Sequence, residues 1–151
     1  MALNPEFVGR TYPASAPYLV GREKIREFAN SIGDHNPAFH DVEAARALGY
    51  SDVIAPPTFP VVISMKALAT AMFDPELGLD YSRVVHGEQR FNYSRPVVAG
   101  DSLVCVPTID GIRSAAGNDL ITVRGEISTE SGEHVVTTYA TIVSRGTAGE
   151  N

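Results

Sequence analysis

Residues 58–73 read TFPVVISMKALATAMF, sixteen residues with a single charge, Lys66. Pro60 stands near the start, where a missing backbone N–H costs a helix little. Val61-Val62-Ile63 alone would suit a strand. The length and the Met-Lys-Ala-Leu-Ala composition instead predict a mostly buried helix. The stretch falls short of the ~18 apolar residues of a membrane span. An apolar helix of this kind needs a covering layer, and the sequence after it supplies one. Past Asp74-Pro75 and Gly78, residues 84–93, 101–112, 120–128 and 134–144 are rich in Val, Ile, Thr and Tyr and read as strands. The Ser131-Gly132 turn joins the last two as an antiparallel pair. Helices first and an antiparallel sheet second predict an α+β domain whose sheet wraps the buried helix.

On the N-terminal side, residues 1–20 carry Pro5, Pro13 and Pro17 and read as an extended arm ending in Tyr18-Leu19-Val20. Residues 22–32 place Ile25, Phe28, Ala29 and Ile32 on one face of a charged helix, and Gly33 ends it. Asp34 to Asp41 (DHNPAFHD) is a polar loop. Asp41 is a plausible N-cap for a short helix over 42–48, closed by Gly49. Residues 1–151 thus read as one domain, with an ordered core over 7–145 and a disordered tail over 146–151.

Composition narrows the partners. Twelve Lys and Arg against eighteen Asp and Glu give a net charge of −6, no general attraction for nucleic acid or an anionic membrane. The single Cys105 cannot form an internal disulfide and suits a reducing, cytoplasmic compartment. The N-terminus lacks the basic-then-apolar order of a signal peptide. No dinucleotide or phosphate-loop glycine motif is present, and no cofactor is expected.

The densest polar cluster is Asp34-His35-Asn36-Pro37-Ala38-Phe39-His40. Asp and His in proximity suit acid–base work, whereas Asp-x-Asn-Pro is equally good turn chemistry. The spacing of Asp34, His35 and His40 matches no ordered metal-ligand motif, and no metal is expected. His86 opens a strand, facing a site or a sheet edge, and His134 reads as a surface residue. Cys105, in an alternating strand, reads as a core residue and not a nucleophile. Arg22, Lys24 and Arg26 form a basic cluster, read as a solvated face or as a contact for coenzyme A phosphates or a carrier protein.

The order of helix, Gly-Asp-x-Asn-Pro loop, short helix ending in Gly, apolar helix and strands bearing Arg95-Pro96-Val97-Val98-Ala99-Gly100-Asp101 resembles the MaoC-like (R)-specific enoyl-CoA hydratases and 3-hydroxyacyl dehydratases. Residues 20–29 (VGREKIREFA) and 54–59 (IAPPTF) resemble the branch that includes subunits of bacterial two-subunit dehydratases. The resemblance runs from about Phe7 to Arg145. It implies a hot-dog fold, a dimer and an acyl-CoA or acyl-carrier thioester substrate in fatty-acid metabolism.

In the catalytic family the loop reads Asp-x-Asn-Pro-apolar-His, the His serving the substrate's C2 proton and the Asp the water at C3. Asp34, Asn36 and Pro37 match. The His position falls on Phe39, and His40 stands one residue late. A His-Gly pair that opens the buried helix in the family, its Gly N–H aimed at the thioester oxygen, is here Pro56-Pro57, and proline has no N–H. The resemblance therefore implies a subunit of a (3R)-hydroxyacyl thioester dehydratase with a degenerate site and a catalytic MaoC-like partner. It puts Asp34 and His40 as the remaining catalytic candidates, and Asn36, Phe39, Pro57, Thr58, Phe59 and His86 as substrate contacts. Phe59, Val62, Met65 and Met72 on the apolar helix would line an acyl channel or simply pack on the sheet. Three alternatives stand beside it: a homodimeric hydratase using Asp34 and His40, a non-catalytic acyl-thioester-binding protein, and a thioesterase using Asp34.

Overall fold

The computed structural model describes residues 3–148. Strand β1 (Tyr18–Leu19) precedes helices α1 (Arg22–Ser31), α2 (Val42–Ala47) and α3 (Val61–Met72). Strands β2 (Val84–Tyr93), β3 (Ser102–Ala115), β4 (Asn118–Thr129) and β5 (His134–Ser144) follow. The sheet is antiparallel with the order β1-β3-β4-β5-β2, and it curls around α3.

The apolar stretch behaves as its composition demands. Pro56, Pro57 and Pro60 hold residues 56–60 in a turn, and the helix begins at Val61. From there Ile63 and Ala67 pack with Phe59, Phe39, Ile25, Cys105 and Ile127, while Leu68, Ala71 and Met72 pack with Leu3, Phe7, Ile109 and Ile142. One helix thus joins two halves of a core. Ser64 on α3 packs over Gly125 on β4: a Cβ on Gly125 would stand 3.7 Å from the Ser64 Cβ. Beside it, Cys105 is fully buried, and burial pushes its thiol up to about 12. The folded protein is expected to leave Cys105 unreacted with a thiol-specific disulfide reagent at mildly alkaline pH, with stoichiometric reaction on unfolding. Rapid reaction of the native chain would contradict this packing.

The two edges of the sheet differ. The arm before β1 runs along β3, with Gly9, Tyr12 and Ser15 donating to the carbonyls of Ile109, Pro107 and Cys105. The other edge, β2, pairs only with β5 over its ten residues. Val85 and Tyr93 on β2 are exposed, as are Met65, Phe73 and Tyr81 beside it.

Two expectations need correction. Residues 146–148 are not a free tail: Thr147 is buried, its hydroxyl donates to Asp119 Oδ2 at 2.8 Å, and the Gly146 N–H donates to Asn118 Oδ1 at 3.0 Å. The remainder of that segment, 149–151, lies outside the described residues. The β3–β4 hairpin is also longer than its sequence suggests, because Ala116 and Gly117 both take positive φ (51° and 78°) and close a tight turn.

Candidate active site

The Asp34–Asp41 loop is built from nested caps. Gly33 takes φ +69° after α1, and the Asp34 N–H donates to Ala29 O at 2.9 Å. Asp34 Oδ1 accepts from the Asn36 N–H and Asn36 Oδ1 accepts from the Ala38 N–H, each at 3.1 Å. Pro37 opens a single 3₁₀ turn (Pro37–Phe39), and Asp41 Oδ1 caps α2 through the Glu43 N–H at 2.8 Å. The Asx chemistry that favours turns is therefore used fully here.

This geometry divides the sequence candidates. Phe39 is 5% exposed and turns into the core. His40 is half-buried, and its Nε2–H donates to the Asp34 carbonyl at 3.0 Å, which points the ring back into its own loop. A cavity of about 450 Å³ opens beside Phe39, walled also by Asn36, Ile54, Ala55, Pro57 and Tyr93. Asp34 and His40 are absent from its wall. Phe59 is fully buried behind the wall, edge-on to Phe28 at 5.4 Å and Tyr18 at 6.5 Å. Thr58 is exposed outside the wall. His86 is exposed on edge strand β2, its Nε2–H donating to Glu88 O at 3.0 Å across a bulge. Seven residues of strand, roughly 23 Å, separate it from Tyr93 at the cavity. Of the eight candidates, the structure brings Asn36, Phe39 and Pro57 together at one surface.

The backbone before α3 offers little to an oxyanion. Pro56, Pro57 and Pro60 carry no N–H. The Phe59 N–H donates to Pro56 O at 2.9 Å, and the first N–H groups of α3 are met by Thr58, Phe59 and Pro60 carbonyls. Among the described residues, the Thr58 N–H is the donor of this segment left without a protein acceptor. Tyr93 closes the cavity wall by donating its hydroxyl to Pro57 O at 2.7 Å; its ring is partly exposed, and desolvation at the hydroxyl end raises the phenol above its ordinary range.

The Arg95–Asp101 turn explains why the cavity floor is fixed. Arg95 grips Asp101 with two hydrogen bonds at 2.9 and 3.0 Å and Glu133 at 2.7 Å. Both partners raise the guanidinium's pKa. Asp101 Oδ2 also accepts the Val98 N–H at 2.9 Å, Gly100 takes φ +97°, and the Ala55 N–H donates to Val97 O at 2.8 Å. This motif is structural, with its charges spent on each other. Asp101→Ala takes two hydrogen bonds from the half-buried Arg95 guanidinium, leaving it Glu133 and the Pro96 carbonyl, and deprives the Val98 N–H of its acceptor. It is expected to cost about 2–4 kcal/mol, read as a lower denaturation midpoint. A loss below about 0.5 kcal/mol, typical of surface pairs, would show the clamp to be idle.

Sequence reasoning missed a polar chain at the cavity rim. The Ser94 hydroxyl lies 2.5 Å from His134 Nδ1, His134 Nε2 lies 2.8 Å from Thr137 Oγ1, and Thr137 donates to Glu126 Oε2 at 2.9 Å. His134, read as a plain surface residue, joins strands forty positions apart, a pairing no local motif announces. The basic cluster on α1 is also paired: Arg22 with Asp52 at 2.7 Å, Lys24 with Glu27 at 2.8 Å and Arg26 with Glu23 at 2.8 Å. Among the described residues there is no cluster of metal-ligating side chains and no helix long and apolar enough to cross a membrane.

Comparison with known proteins agrees with this architecture. Residues 6–138 match the family model described as FAS1-like, dehydratase domain region. A UPF0336 protein of Streptomyces coelicolor is 60% identical over 145 residues, covering 96% of this chain and 97% of the relative. Another from Thermobifida fusca is 54% identical over 148 residues, covering 98% and 97%. Among solved structures, a MaoC-like dehydratase superposes with a TM-score of 0.86 at 39% identity, over 92% of this chain and 42% of that longer one. One chain of the C-terminally truncated HadBC (3R-hydroxyacyl-ACP dehydratase) complex of Mycobacterium tuberculosis superposes at 0.78 and 34% identity, over 91% of this chain and 96% of that one. The fold is thus the MaoC-like hot dog that the resemblance implied. With the family model matching most of its length, the chain belongs to the FAS1-like dehydratase domain region family.

Proposed function

We propose that this chain is the non-catalytic subunit of a (3R)-hydroxyacyl-CoA or acyl-carrier dehydratase, acting in fatty-acyl metabolism with a MaoC-like partner that carries an intact Asp/His/Gly set. The observation that carries the reading is Phe39, a buried aromatic wall at the position where the family places its base. His40, the nearest imidazole, is tied to the Asp34 carbonyl at 3.0 Å. The proline-filled entry to α3 supports the same conclusion independently: Pro56 and Pro57 carry no N–H, and the donor that remains, the Thr58 N–H, belongs to a residue outside the cavity wall. The apolar cavity suits an acyl chain and offers no acid–base pair to act on it. The open β2 edge and the exposed Met65, Phe73, Tyr81 and Val85 alongside it suit strand addition by a second protomer.

Mixing the purified chain with an intact MaoC-like subunit tests the proposal. Hydration of a trans-2-enoyl thioester is expected to rise with added chain and level off at equimolar ratio. Binding of the thioester with no turnover under any pairing would instead favour the acyl-thioester-binding alternative.

A further inference from the structure

A second cavity, of about 410 Å³, lies between the N-terminal arm and α3 and shares no wall residue with the Phe39 cavity. Its volume falls in the roughly 300–1,000 Å³ range of small-molecule sites. Pro13, Ala14, Ala16 and Pro17 on the arm and Ile63 and Ala67 on α3 make most of its wall apolar. Its charged member is Lys66, the lone charge of the apolar stretch, whose Nζ sits 5.7 Å from the centre of the Tyr18 ring. No Asp or Glu lines the cavity, and among the described residues Lys66 has no carboxylate partner. Glu27, near Tyr18 on α1, is engaged by Lys24 at 2.8 Å.

We propose that this cavity binds an unbranched alkyl carboxylate of medium length, the chain lying against the arm and α3 and the carboxylate meeting Lys66. One ammonium against a long apolar wall is complementary to a monoanion with an aliphatic tail. A dianionic phosphate would leave a charge unneutralised in a protein of net charge −6. The stem of Lys66 continues the apolar wall while its head stays at the mouth, so the charge is met without being buried. The site is separate from the proposed dehydratase role, and its ligand is the free acid rather than a thioester.

Amide NMR of the full chain titrated with octanoate, and in parallel with 1-octanol as the uncharged counterpart, tests the site without a partner subunit or turnover. Octanoate is expected to shift the amides of Ala14, Ser15, Ala16, Tyr18 and residues 63–70. Lys66→Met is expected to weaken octanoate about five-fold, the scale of one exposed ion pair, and to leave octanol unchanged. Ala14→Phe, at an exposed arm position, is expected to exclude both ligands. Equal octanoate affinity in Lys66→Met, shifts confined to Asn36, Phe39, Ala55 and Tyr93, or no shift at millimolar ligand would each overturn the proposal.

Discussion

Asp34→Asn and His40→Gln together are expected to leave turnover of the paired dehydratase within about three-fold of the unaltered complex. Removing the partner's own acid–base residues should lower it by roughly 10²–10⁴-fold, the usual worth of a positioned proton donor or acceptor. The asymmetry follows from what these side chains do here. Asp34 Oδ1 receives the Asn36 N–H at 3.1 Å and His40 Nε2 donates to the Asp34 carbonyl at 3.0 Å, so both serve the loop. Asn and Gln keep those hydrogen-bonding roles while removing the acid–base chemistry. The substitutions therefore separate a structural role from a catalytic one. A loss comparable to that from the partner's residues would place chemistry in this chain and favour the self-sufficient hydratase. Equal melting temperatures for the altered and unaltered chains are the control.

The second large effect concerns stability. Gly125→Val is expected to cost about 2–4 kcal/mol, seen as a shift of the urea midpoint with little change in slope. Even a bare Cβ at this position would stand 2.6 Å from Thr138 Oγ1 and 3.0 Å from Cys105 Sγ. Both of those side chains are fully buried and cannot swing to solvent. Thr138→Ala in the Gly125→Ala background should recover part of the loss, because it removes the nearest obstacle. Strict additivity of the two changes would show that Thr138 is not the obstacle at this point.

Much of the fold was legible because its strongest signals are local. Residues 58–73 read as a mostly buried helix; the structure starts it three residues later, at Val61, because the prolines hold 56–60 in a turn. Strand-forming composition marked β2 at its observed limits, and Asp41 capped α2 as its residue type suggests. What escaped depends on contacts between distant positions. Thr147 is buried because Asp119 lies opposite it, and Arg22 loses its freedom to Asp52, thirty residues on. The Ala116-Gly117 turn escaped because alanine seldom adopts positive φ, so nothing in the residue type flags it. At the site, the resemblance alone set Phe39 at the family's His position and Pro57 at its Gly position. Which way the neighbouring side chains turned was not legible. Asn36, Phe39 and Pro57 converge on the cavity because the Arg95–Asp101 clamp fixes segment 53–57 against the loop, whereas Phe59 and Thr58, adjacent in sequence, face the core and the solvent. His86 belongs to the far end of β2, and its proximity to a site in this chain could not be judged from strand content alone.

The central claim, that the chain folds as a dehydratase and lacks the chemistry of one, is tested most directly by assaying the purified chain alone for hydration of a trans-2-enoyl-CoA. The account predicts no turnover above that of the thioester in buffer, with activity gained on adding an intact MaoC-like subunit. Full turnover by the lone chain, abolished by Asp34→Ala or His40→Ala, would contradict it.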